Sequence, residues 1–229
     1  MLKVFKQLNS FKERVAIESE GIEFSYAHLI EKSDLIASFL LGEKKDLMEE
    51  RIGFLINPNI DYICTLWGIW KAGGIAVPLS LSAKENELDH YISDCAIKLI
   101  ITSDSCQQKE NIPDKNKLDV KNLEDLLLED KSKLPDLSQE RKAMILYTSG
   151  TTNKPKGVVC THKNVEAQIS ALVEAWEWTK EDHIPLFLPL HHIHGIINSL
   201  SCPLFVGAKV TMLGPFDAEK ICSEVASKN

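Results

Sequence analysis

Two periodicities alternate along this chain, and their alternation limits the fold more than any other feature. Short β-branched or apolar runs occur at Arg51-Ile-Gly-Phe-Leu-Ile, Lys98-Leu-Ile-Ile-Thr, Ala143-Met-Ile-Leu-Tyr and Ala208-Lys-Val-Thr-Met. Longer stretches between them carry helical spacing. Leu29, Ser33, Ile36, Ala37 and Leu40 make one face, with Ser25 as its N-cap. Tyr62, Leu66, Ile69 and Trp70 make another, ending at Gly73-Gly74, which reads as a helix C-cap before a strand. A helix-length return between strands implies parallel pairing. The expected fold class is α/β, with largely parallel sheets flanked by helices. Residues 111–116 and a charged, Pro-containing connector at 130–138 break the pattern. Helical spacing resumes at Ile221, Val225 and Ala226, and no internal repeat is visible.

Composition narrows the partners. Of the 229 residues 44% are apolar and 26% charged, which is globular usage and excludes disorder. The net charge of −7 argues against a nucleic-acid or anionic-membrane binder, because nothing basic offsets phosphate charge. No apolar stretch approaches the roughly 18–20 residues that a membrane span needs. Lysines are scattered through Met1-Leu-Lys-Val-Phe-Lys, so the start does not read as a secretory signal; cytoplasm is the expected compartment, with a short amphipathic organelle-targeting helix as the alternative. Cys64, Cys95, Cys106, Cys160, Cys202 and Cys222 are widely spaced, with no C-x-x-C pair. They read as free thiols in a reduced core.

The chemistry concentrates in Ile145-Leu-Tyr-Thr-Ser-Gly-Thr-Thr-Asn-Lys-Pro-Lys-Gly-Val-Val. An apolar strand ends at Tyr147, and a second β-branched segment begins at Val158. Between them Thr148, Ser149, Gly150, Thr151 and Thr152 supply hydroxyls and free backbone N–H groups, and Lys156 adds a point charge suited to a polyphosphate. The pattern departs from the Walker loop G-x-x-x-x-G-K-[ST]: Pro155 stands at the second glycine and Gly157 at the Ser/Thr. Val158-Val-Cys favours a strand where a Walker loop needs a helix N-terminus. A P-loop NTPase and a ligand-free hydroxyl-rich turn remain as competing readings.

Leu188-Pro-Leu-His-His-Ile-His-Gly-Ile-Ile-Asn is the second informative stretch. His191, His192 and His194 alone would suggest zinc, but no Cys, Asp or Glu within the motif completes a ligand set, so no metal site is assigned.

Taken together these segments resemble the adenylate-forming enzymes: acyl-CoA synthetases, adenylation domains of peptide synthetases and luciferases. Tyr147-Thr-Ser-Gly-Thr-Thr-Asn-Lys-Pro-Lys-Gly is similar to their loop Y-T-S-G-T-T-G-x-P-K-G, with Asn153 at the usual glycine. Asn is the non-Gly residue most tolerant of left-handed backbone. The histidine stretch is similar to the family's L-P-x-x-H-x-x-G element. Trp67-Gly-Ile-Trp-Lys-Ala-Gly-Gly resembles an early structural block. The His-x-His-Gly form, with Trp176-Glu-Trp-Thr before it and Cys202-Pro-Leu-Phe-Val-Gly-Ala after it, looks most like malonyl-CoA-type synthetases.

The resemblance implies a two-step reaction: a small carboxylic acid attacks the α-phosphate of ATP with Mg²⁺, then coenzyme A takes the acyl group. It implies that Thr148 to Thr152 and Lys156 hold the phosphates. It places His192 beside the reacting carboxylate as a catalytic group together with Lys156, and His194 and Gly195 in the acyl pocket. A histidine at 194 would favour an acid with a second polar or anionic group. Residues 1–229 would be the first part of the large N-terminal domain, without the later Y-G-x-T-E and T-G-D segments or the small lid domain. Such a chain is expected to be inactive alone and to self-associate through surface the remainder would cover. The competing class is a truncated, non-catalytic nucleotide-binding or interaction module.

Overall fold

The computed structural model describes residues 3–103, 110, 112, 117–120, 133–148, 154–214 and 216–226. In chain order the elements are α1 (Lys3–Leu8), β1 (Val15–Ser19), β2 (Ile22–Ser25), α2 (Tyr26–Leu41), β3 (Arg51–Leu55), α3 (Ile60–Lys71), β4 (Ile75–Pro78), α4 (Glu85–Asp94), β5 (Leu99–Thr102) and β6 (Lys117–Asp119). They continue with β7 (Lys142–Thr148), β8 (Lys156–Thr161), α5 (His162–Ala175), β9 (His183–Leu186), a π-helix (His194–Ser201), α6 (Cys202–Val206), β10 (Lys209–Met212) and α7 (Ala218–Ala226).

All four expected strands form, and they fall into two sheets of order β2-β1-β10-β9 and β6-β5-β3-β4-β7-β8. Pairing is parallel except in two hairpins, β1–β2 and β7–β8. Periodicity did not disclose the first. Glu20 and Gly21 both take positive φ (54° and 77°), giving the two-residue turn whose twist matches antiparallel strands.

The helices follow their sequence signals closely. Ser25 Oγ accepts from the His28 N–H and caps α2. Leu29, Ser33, Ile36 and Ala37 are buried as expected; at the last turn Leu41 is buried and Leu40 only partly. The expected one-sided face of α3 is instead a helix buried at every position but Asp61, because α2 covers one side and the six-stranded sheet the other. Close approach is what Gly68 permits, since a Cβ there would lie 2.6 Å from Ile36 Cγ2. Gly73 (φ +82°) follows α3 and leads into β4, as read from the sequence.

The six-stranded sheet is packed on both faces. Ile52, Phe54, Ala76, Met144 and Leu146 belong to the larger core with α2 and α3. Leu55, Ile75, Val77, Ile100 and Ile145 pack with Leu88 and Tyr91 of α4. Cys64, Cys95 and Cys202 are buried, Cys160 is half-buried and Cys222 is exposed; Cys106 lies outside the described residues. Residues 133–138 of the connector run without regular structure, and 130–132 lie outside the described residues.

His162 begins α5 buried, its ring edge-on to Trp70 at 5.7 Å. Burial, helped by the charge of Arg141 and opposed by Glu49, lowers its pKa to about 4 from 6.5. Between those values the unfolded chain binds more protons than the folded one, so stability is full above pH 6.5 and falls as pH drops towards 4. Urea titrations at pH 7 and 4.5 should show on the order of 2–3 kcal/mol less dependence on pH in His162→Phe. Parallel profiles for the two proteins would remove His162 from the account.

Candidate active site

β7 lies between β4 and β8 and runs parallel to β4, so it ends at the same edge of the sheet as β3, β4 and β5. Ligands of parallel α/β sheets sit outside these carboxyl ends. Thr148 closes β7 and pairs in register with Lys156, the first residue of β8; both are exposed. They form the mouth of the hairpin whose tip carries the other expected phosphate donors. Those donors (Ser149, Gly150, Thr151 and Thr152), together with Asn153, lie outside the described residues.

Val158-Val-Cys is a strand antiparallel to β7, so the loop joins two strands. A Walker loop joins a strand to a helix N-terminus, and the P-loop alternative is thereby excluded. The mouth faces solvent as an anion site must. A groove of about 670 Å³ opens between α4 and the hairpin, lined in part by Lys84, Glu87, His90 and Lys154.

The histidine segment leaves the end of β9 on the other sheet. The Tyr62 hydroxyl, at the start of α3, donates to the Leu190 carbonyl and ties the segment down. The His191 and His192 rings lie against each other, tilted by 49° with centroids 4.1 Å apart. Burial, reinforced by the neighbouring His192, lowers the pKa of the half-buried His191 to about 4, so it is neutral at physiological pH. His192 and His194 are exposed, which leaves both imidazoles available to a ligand.

His194 opens the π-helix, a conformation enriched at functional sites that nothing in the spacing foretold. Gly195 is buried, and a Cβ there would lie 2.4 Å from the Pro189 carbonyl oxygen, so the position needs glycine. The absence of a side chain there permits close backbone approach beneath the histidines. Gly195→Ala should displace the Pro189–Ile193 turn and cost about 1–3 kcal/mol in urea titration. An unchanged midpoint would mean that the segment relaxes freely.

Among the described residues no hydrogen bond joins Thr148 or Lys156 to His192 or His194. α5 connects the two segments: β8 runs directly into it, and Gln168 Nε2 on α5 donates to Asn198 Oδ1 of the π-helix at 3.4 Å. Val165 and Ile169 of α5 share a core with Ile196, Ile197 and Leu200. Sequence reading missed the residues that contact the hairpin from α4: His90, Tyr91 and Asp94. Their spacing of one helical turn was legible, but their partners lie more than fifty residues away.

Away from these segments, Glu18, His183 and Glu224 bring ligand-type atoms within 4.8 Å of one another. The Lys209 ammonium lies 2.6 Å from Glu18, and Thr211 Oγ1 lies 2.6 Å from His183 Nε2. The cluster joins α7 to the four-stranded sheet and offers no reason to place a metal near the hairpin.

A strand–loop–strand hairpin at the carboxyl edge of a largely parallel sheet defines an α/β protein whose loop is not of the Walker type. The chain belongs to the AMP-binding enzyme family, which it matches over residues 4–228. It is 37% identical over 230 residues to the mitochondrial malonate–CoA ligase ACSF3 of Xenopus laevis, covering 94% of this chain and 40% of that protein. It is 33% identical over 248 residues to the malonate–CoA ligase of Arabidopsis thaliana, covering 95% and 40%. Among solved structures, ATP-bound MatB from Rhodopseudomonas palustris superimposes with a TM-score of 0.86 at 25% identity, covering 99% of this chain and 48% of MatB. The chain therefore spans about two fifths of the length of these curated relatives. Among the described residues no helix is long and apolar enough to cross a membrane. The Xenopus relative is named as mitochondrial, so it lends the cytoplasmic expectation no support.

Proposed function

We propose that the protein built on this chain activates a small carboxylic acid with MgATP and passes the acyl group to coenzyme A. The observation that carries this reading is the exposed Thr148–Lys156 mouth at the carboxyl edge of the sheet, on a loop joining two strands. ATP and coenzyme A enter as co-substrates, and Mg²⁺ as the cation carried by ATP.

In the first half-reaction the acid's carboxylate attacks the α-phosphorus and pyrophosphate leaves. The hairpin positions the tail and neutralises its charge. Thr148, Ser149, Thr151 and Thr152 donate through hydroxyl and backbone groups, Gly150 lets the backbone approach, and Lys156 supplies the ammonium. The exposed His192 faces the charge that develops between carboxylate and phosphate. In the second half-reaction the thiol of coenzyme A attacks the acyl carbon and AMP leaves.

His194, exposed beside His192, suits an acid bearing a second anionic group. Malonate is our substrate of choice, since it is the acid in the names of relatives 33–37% identical to this chain. Residues 1–229 act as part of the large N-terminal domain and are inactive alone.

The test is acid-dependent ATP–pyrophosphate exchange, with detection of malonyl-CoA, using the polypeptide that the gene encodes. Exchange that requires malonate is the expected result, with none from the 229-residue chain. ATP hydrolysis with no need for an acid would refute the reading, and acyl-CoA formed by the 229-residue chain would refute its inactivity.

A further inference from the structure

The hairpin is held from outside by a single helix at two points one turn apart. On its descending limb the Pro155 carbonyl, immediately before Lys156, accepts from His90 Nε2 at 2.9 Å. On its ascending limb the Tyr147 hydroxyl, immediately before Thr148, donates to Asp94 Oδ2 at 2.7 Å and lies 3.0 Å from Cys95 Sγ. The Tyr147 ring lies against Tyr91 with centroids 4.2 Å apart, and His90 meets the same ring edge-on at 6.0 Å. Tyr147 is opposite Gly157 in register, and a Cβ on Gly157 would lie 2.9 Å from Ile145 Cγ2 and 3.5 Å from the Tyr147 ring.

α4 is itself immobilised. Glu87 caps the Lys84 N–H at its start, Leu88 and Tyr91 are buried, and Arg51 Nε on β3 donates to the Cys95 carbonyl at 2.7 Å. The two attachments therefore refer both limbs of the hairpin to α4 and through it to β3, in addition to the pairing of β7 with β8. The attachments fall on the residues next to Thr148 and Lys156, Tyr147 on the strand side of Thr148 and Pro155 on the loop side of Lys156, so the backbone beside each is tied to α4. Ordering a loop costs conformational entropy on every binding event, and fixing its ends beforehand removes part of that cost.

We propose that His90 and Asp94 are positioning residues for the phosphate hairpin, holding its two limbs so that Thr148 and Lys156 meet the ATP tail in a set geometry. This rests on the ligase reading given above. It selects the ATP subsite and leaves the acid subsite alone, because among the described residues no hydrogen bond, ion pair or ring contact joins the histidine segment to His90 or Asp94.

The experiment is pyrophosphate exchange by the polypeptide that the gene encodes, with MgATP and malonate varied separately. His90→Ala and Asp94→Ala should each raise the KM for MgATP about five- to tenfold, with the KM for malonate within twofold of the unsubstituted protein. His90→Gln retains an N–H donor, and Asp94→Asn retains an acceptor for Tyr147, so both should recover most of the loss. These conservative variants also keep the test informative should an alanine variant fold poorly. An unchanged KM for MgATP in both alanine variants, an equal rise for both substrates, or no recovery in His90→Gln would overturn the proposal. An unsubstituted protein with no acid-dependent exchange would instead refute the ligase reading.

Discussion

Replacing Lys156 with alanine should lower acid-dependent pyrophosphate exchange by about 30- to 100-fold. Lys156 is exposed at the hairpin mouth, in register with Thr148, where the proposed function has its ammonium meet a tail carrying several negative charges. A hydrogen bond to a charged partner is worth about 1.5–3 kcal/mol, and each 1.4 kcal/mol is a factor of ten. Lys156→Arg keeps the charge but replaces a compact ammonium by a wider planar fork, so it should recover only part of the rate. Because the tail is gripped in the ground state and the transition state alike, much of the loss should appear in the KM for MgATP. Exchange within threefold of the unsubstituted protein would show that the lysine faces the solvent without a task.

The largest expected loss of stability comes from Trp70→Ala. Trp70 is 1% exposed, packs against His162, and donates from Nε1 to the Ala143 carbonyl at 2.7 Å. Truncation removes a large apolar group, leaves a cavity and strands a buried carbonyl on β7, the strand that leads into the hairpin. The expected cost is about 4–5 kcal/mol, measured by urea titration with far-UV circular dichroism. Trp176, which is 51% exposed after α5, gives the comparison: Trp176→Ala should change stability by about 0.5 kcal/mol or less. Similar midpoints for the two variants would mean that α3 is not anchored to β7 through this indole.

Much of the fold was legible because its signals are local. Ser25 caps α2 through a side chain three residues from the N–H it accepts from, and Gly73 ends α3 because positive φ is cheap only without a Cβ. The passage from strand to strand around Gly150 is legible in Val158-Val-Cys, whose β-branched pair disfavours the helix N-terminus that a Walker loop needs. Other features were hidden. Periodicity marks one face of a helix, so it could not say that α3 is buried at every position but Asp61. Nor did it separate Leu40 from Leu41, which differ by one position and by which neighbour covers them.

The sequence by itself determined the class of fold, the hairpin with Lys156 at its mouth and the histidine segment. Each is a run of adjacent residues whose chemistry and backbone preferences act over a few bonds. Tertiary structure alone decided which strands share a sheet, that His194 opens a π-helix, and that Gly195 is demanded by a carbonyl six residues back. It also decided that a helix around His90 and Asp94 holds both limbs of a hairpin more than fifty residues further on. Contacts of that kind are set by packing between distant segments, which leaves no period and no motif to read.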